Sequence, residues 1–127
     1  MNEEKVEYLV PASEINVLGT IYKIKHGSVK DYPKLKDAVG LCEKYTKEII
    51  LDIDGYNDPD SFDNMIDYDR HTLRHEIAHA FLHESGFDSN LTYDQEERIV
   101  GWLSQMVTKY YNACKEANAL EDPQHES

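Results

Sequence analysis

Between residues 18 and 25 apolar and polar positions alternate: Leu18, Thr20, Tyr22 and Ile24 fall on one side, Gly19, Ile21, Lys23 and Lys25 on the other. A period of two predicts a half-buried strand, imperfect only at Ile21, and Gly27 ends it. A short run at residues 38–42 is joined through polar residues 43–47 to a third at 48–54. In the third, Ile49, Leu51 and Ile53 share one face, with Asp52 and Asp54 on the other. These two runs read as an antiparallel hairpin, and Asp54-Gly55 is a strong turn dipeptide. Residues 56–63, with Asn-Asp-Pro-Asp at their heart, read as loop.

Beyond the loop the period changes. Leu73, Ile77, Ala80 and Phe81 recur at helical spacing, and Gly86 is placed to end that helix as its C′ residue. Thr92-Tyr93-Asp94-Gln95 has the form of a capping box, which predicts a second helix from Tyr93. Its apolar face is Ile99, Leu103, Met106, Val107, Tyr110 and Cys114. The order of elements predicts an α+β fold, a small antiparallel sheet followed by two packed helices. With 127 residues and no repeat or linker, residues 1–127 form one domain, and 1–7 and 116–127 are expected to be mobile tails.

Composition narrows the choices. Hydrophobic residues make up 40% of the chain, enough for a modest core without disulfides. Cys42 and Cys114 form no CxxC pair and read as buried or free thiols of a reducing compartment. The N-terminus is acidic, unlike a secretory signal, and no run approaches the ~18 apolar residues of a membrane span, so a cytoplasmic protein is expected. The net charge of −12, from 13 Lys+Arg against 25 Asp+Glu, argues against nucleic acid or anionic lipid as a partner. The lysines at residues 23–36 read as a solvated strand and loop.

His75-Glu76-Ile77-Ala78-His79 is a complete HExxH motif. Residues four apart stack on one helix face, so both imidazoles can reach one ion. Glu76 is rotated by about 100° from His75, beside the ion and not on it, where its carboxylate can act as general base toward a zinc-activated water. The histidine row is longer, running His71, His75, His79, His83. Residues eight apart are about 12 Å apart along the axis, too far to share an ion with bonds near 2 Å. His71 and His83 are therefore expected to line a cleft or the surface. The third ligand must come from elsewhere, and the second helix offers Asp94, Glu96 and Glu97 in its first turn. At 100° per residue Glu96 falls within the apolar stripe, where only a bound metal would justify its burial, whereas Glu97 lies on the flank nearer the cleft. One of these two glutamates is the expected ligand.

With those residues the chain resembles short HExxH proteins of bacteriophages and prophages and, more distantly, the ImmA/IrrE metallopeptidases. The similar stretches are Thr72-Leu-Arg-His-Glu-Ile-Ala-His-Ala-Phe-Leu-His-Glu-Ser-Gly-Phe87 and Gln95-Glu-Glu-Arg-Ile-Val-Gly-Trp-Leu103, and the likeness in order spans roughly residues 38–107. The resemblance implies a minimal, gluzincin-like zinc peptidase with a sheet edge near the metal that can pair with an extended peptide. It also implies a glutamate ligand from the second helix, carried onto Glu97 or Glu96. Gly101 departs from the pattern, since an acidic residue often stands there. Tyr93, His71 and His83 are candidates for stabilising the oxyanion.

The leading expectation is a zinc endopeptidase acting on a protein or peptide substrate, as a monomer or weak dimer. A zinc-binding interaction protein without proteolysis is the alternative, distinguished by a closed metal site. A metal-free acidic mimic of nucleic acid would leave the HExxH unexplained. Trp102 and the pair Tyr110-Tyr111 read as core or interface residues.

Overall fold

The computed structural model describes residues 12–53 and 62–122, with backbone only for residues 62–66. Strands β1 (Glu14–Val17), β2 (Thr20–Gly27), β3 (Gly40–Glu43) and β4 (Glu48–Asp52) precede helices α1 (Phe62–Glu84) and α2 (Tyr93–Glu116). Short 3₁₀ turns stand at Pro33–Leu35 and Phe87–Asn90. The architecture is α+β, as the sequence predicts.

The sheet has the order β1-β2-β4-β3. Both hairpins are antiparallel, but β2 and β4 run parallel, Ile24 opposite Ile49 and His26 opposite Leu51. The sheet is thus mixed where an antiparallel one was expected. Residues 28–47 form the crossover between the two parallel strands, and β3 lies within it. Strand β1 was not predicted. Its four residues are too few to show a period, and its turn is Leu18-Gly19, without the usual Asn-Gly signal. Both turn residues have positive φ, 52° and 96°, as a two-residue hairpin loop demands, and Asn16 Oδ1 accepts a hydrogen bond from Gly19 N–H at 2.7 Å.

Val17, Tyr22, Ile24, Ile49 and Leu51 cover one face of the sheet and bury Ala80 of α1, with Leu73 and Ile77 packed at the margin. Ala78 and Leu82, on another side of α1, meet Val100 of α2. Helix α1 therefore lies between the sheet and α2. Phe81, expected in the core, falls between these two contacts and is 41% exposed.

The apolar face of α2 is also rotated from the expected one. Its buried residues are Val100 and Ser104, with Ile99 and Leu103 half-buried, while Val107 is 39% and Tyr110 67% exposed. Small Ser104 is buried, and its carbonyl accepts a hydrogen bond from Arg74 Nε at 2.9 Å.

Several boundaries match the sequence. Gly86 takes the left-handed conformation after α1, and Thr92 and Gln95 form both hydrogen bonds of the capping box. The turn at Asp54-Gly55 and most of the predicted loop lie outside the described residues, although α1 already includes residues 62 and 63. Cys42 and Cys114 are free thiols. The expected tail at 1–7 lies outside the described residues, and the other begins where α2 ends at Glu116. No helix among the described residues is long and apolar enough to cross a membrane.

Candidate metal centre

Helix α1 is tied to the sheet at two places. In its third turn, the buried carboxylate of Asp69 lies 3.3 Å from His26 Nε2 on β2. At its end, Glu84 accepts hydrogen bonds from Thr20 Oγ1 at 3.0 Å, Tyr22 Oη at 2.6 Å and Lys47 Nζ at 2.8 Å. These three donors hold the Glu84 carboxyl down at about 2. Burial and the same Glu84 contact push the Tyr22 phenol above its usual range.

Between these anchors the histidine row looks into the gap between β3 and α2. His75 Nε2 is 3.2 Å from Glu97 Oε1, and His79 Nε2 is 3.4 Å from the same oxygen. The rings of His75 and His79 stand edge to face with centroids 5.1 Å apart. One donor atom from each of His75, His79 and Glu97 lies within 4.8 Å of the others. A tetrahedral ion with bonds of about 2.0–2.1 Å sets its ligand atoms roughly 3.3 Å apart, so the two measured separations match its need. All three side chains are between 17% and 30% exposed, which leaves a side open to solvent.

Glu96 does something different. Its Oε2 lies 2.6 Å from His79 Nδ1, the nitrogen turned away from the cluster. The rotation of α2 explains the division of labour. Glu97 stands three residues before Val100 and seven before Ser104, in line with the seam between the helices, and Glu96 is displaced to its side. Of the two glutamates expected to offer a ligand, Glu97 thus joins His75 and His79 and Glu96 stands behind His79. Asp94 is exposed and outside the cluster.

Glu76 is 7% exposed and sits between α1 and β3. Burial pushes its carboxyl up to about 7, with the charge on Glu97 adding to the rise and His79 opposing it. His75 is held below its usual range, first by burial and then by neighbouring His79. The wall opposite Glu76 is Gly40: a Cβ there would stand 2.8 Å from Thr72 Cγ2 and 3.3 Å from both Cγ and Oε2 of Glu76. Burial raises the neighbouring Cys42 thiol to about 12, the Glu76 charge adding to it. A thiol so disfavoured as thiolate is a poor metal ligand or nucleophile.

The gap is a cleft of about 720 Å³, walled by residues 37–42 and 44, by Tyr68 and the histidine row, and by Tyr93, Glu96 and Glu97. His71 and His83 line it without joining His75, His79 and Glu97, and His83 Nδ1 lies 3.3 Å from Asp88 Oδ2. Strand β3 is the outer strand here. Asp52 N–H donates to Val39 O at 3.0 Å, and Gly40 and Cys42 stand opposite Leu51 and Ile49. Hydrogen bonds alternate along an antiparallel pair, so the peptide groups of Gly40 and Cys42 point away from β4, along the open edge.

Sequence reasoning missed Gly40, because a lone glycine in a short run carries no sign of the close helix–strand approach that requires it. It also missed Glu84, whose hydrogen-bond donors lie more than thirty residues away. Comparison of the chain with protein families, characterised proteins and solved structures finds no significant match.

Proposed function

We propose that this protein is a zinc-dependent peptidase with His75 Nε2, His79 Nε2 and Glu97 Oε1 as ligands and Glu76 as general base. The observation that carries this reading is the convergence of those three donor atoms, open to a cleft on one side, with a buried carboxyl next to them. Bound zinc supplies two things in such a site: it acidifies a water and polarises the scissile carbonyl.

The remaining work falls to the chain. Glu76, buried beside the three donors, is placed to take a proton from the attacking water and return it to the leaving amine. The open peptide groups of Gly40 and Cys42 suit an extended substrate strand, which would lie along the cleft within reach of the histidine row. Glu96 holds the Nδ1 proton of His79 and so keeps Nε2 free as a ligand. A purely structural zinc site has no use for a buried acid in that position, which favours the enzyme over an interaction protein.

Metal content by elemental mass spectrometry tests the reading. Wild type and Glu76→Gln should each hold about one zinc per chain, and His79→Ala and Glu97→Gln should lose it. Hydrolysis of unstructured protein should vanish in Glu76→Gln while its zinc remains. Zinc-supplemented wild type without bound metal would overturn the proposal.

A further inference from the structure

The outer side of α2 carries aromatic residues that the core does not use. Trp102 is 62% exposed and Tyr110 67%, with half-buried Met106 between them on the same side of the helix. Ala113 continues the stripe one turn further. Beside it run Arg98, Lys109 and Glu116, all exposed, and neither Arg98 nor Glu116 has a charged partner among the described residues. Arg98 and Glu116 are eighteen residues apart, five full turns at 3.6 residues each, so they lie on one line of the helix about 27 Å apart.

This arrangement is its own complement. A two-fold axis level with position 107 along the helix, set through the Trp102–Met106 side, that places two copies of α2 antiparallel brings Arg98 of each copy against Glu116 of the other. It sets Lys109 opposite Gln105, and it packs Trp102 against Ala113 and Tyr110 of the second copy. A parallel pairing would instead oppose Arg98 to Arg98 and Glu116 to Glu116. Any other partner would have to supply an apolar stripe bracketed by opposite charges at this spacing, which a second copy already has.

We propose that α2 is the surface through which two copies of this chain form an antiparallel two-fold dimer, with Trp102, Met106 and Tyr110 at its centre and Arg98–Glu116 pairs at its ends. Glu97 and the cleft lie on another side of α2, so the dimer leaves the candidate metal centre open and does not depend on it. A single helix pair falls at the low end of interface size, below about 1,200 Å², so the dimer is weak, with a dissociation constant in the micromolar range.

Sedimentation velocity of the full chain, from about 5 to about 500 µM to span that range, is the test. Wild type should shift from monomer to dimer. Trp102→Ala should weaken association about thirtyfold, the effect of losing a central aromatic anchor. Arg98→Glu and Glu116→Arg, each of which opposes like charges at both ends, should weaken it about tenfold or more. Mixed in equal amounts, those two variants carry complementary ends and should recover a heterodimer of wild-type affinity. Wild type that stays monomeric throughout overturns the proposal. So does a mixture that associates no better than its components, because the dimer then uses another surface. Circular dichroism of each exposed-site variant should match wild type.

Discussion

Glu96 and His79 form the shortest contact of the candidate metal centre, 2.6 Å between a carboxylate oxygen and Nδ1, while the other nitrogen of the same ring faces Glu97. One imidazole thus spans two adjacent glutamates with different tasks. Replacing an outer carboxylate that orients a metal-bound histidine weakens zinc binding by about 10–100-fold. We expect that loss for Glu96→Ala and a smaller one for Glu96→Gln, whose amide oxygen still accepts the Nδ1 proton. Glu97→Gln should lose zinc more completely than either, as competition with a chromophoric chelator would measure.

Gly40 should tolerate no side chain. Its Cβ would press on the Glu76 side chain and, harder, on Thr72, whose hydroxyl is tied to Tyr68 O. Overpacking of this kind costs about 1–3 kcal/mol. Gly40→Ala should lower the urea midpoint accordingly; on the proposed reading, in which Glu76 is a base and not a ligand, it should retain zinc and lose most hydrolysis of unstructured protein.

Glu76 gives the metal-free protein a pH signature. A carboxyl whose folded pKa is raised, here to about 7, penalises the folded state once it ionises. Stability should fall as pH rises from about 4.5 to about 7 and stay low above it. Glu76→Gln should remove that fall. In chelator, the variant should be more stable than wild type at pH 8 by roughly 1–3 kcal/mol and no more stable at pH 4, by chemical denaturation at each pH.

Glu84 acts with the opposite sign. Its folded pKa is depressed to about 2, so its stabilisation is complete above the unfolded value near 4.5 and disappears as pH falls toward 2. The difference in thermal midpoint between wild type and Glu84→Gln should be constant from pH 6 to 8 and close progressively below about pH 5. Tyr22→Phe removes one donor to this carboxylate and should cost about 1 kcal/mol.

Leu51 and Trp102 separate core from surface. Leu51 is fully buried, and Leu51→Ala should cost about 2–5 kcal/mol. Trp102→Ala, at low micromolar concentration, should lie within about 0.5 kcal/mol of wild type.

Much of this fold follows from periodicity. The strand around Tyr22, the β3–β4 hairpin, the cap at Thr92 and the stop at Gly86 all obey local rules, although the strand begins at Thr20 because Leu18, expected on its apolar side, is an exposed turn residue. The parallel pairing of β2 with β4 does not, because register between distant strands depends on a crossover whose path no short window contains. The face of α2 was misjudged for a related reason. The expected stripe includes the large residues Val107 and Tyr110, whereas the residues of α2 that are buried are Val100 and small Ser104. Correcting that rotation separates Glu97 from Glu96. The HExxH register was legible because its chemistry is set within one turn of one helix, whereas the third donor depended on how a second helix is turned.

The crossover has a mechanical consequence. Outer strands of small sheets usually come loose first, since only one side is bonded and one end is often loosely held. Strand β3 is held at both ends, by the segment arriving from β2 and by the turn into β4, and Gly40 rests on a helix that is itself clamped at Asp69 and Glu84. The wall of the cleft therefore cannot fray by itself. Its inward-bonded amides, Leu41 and Glu43, should exchange with solvent deuterium only when the whole sheet opens, while those of Gly40 and Cys42, one residue away, exchange freely.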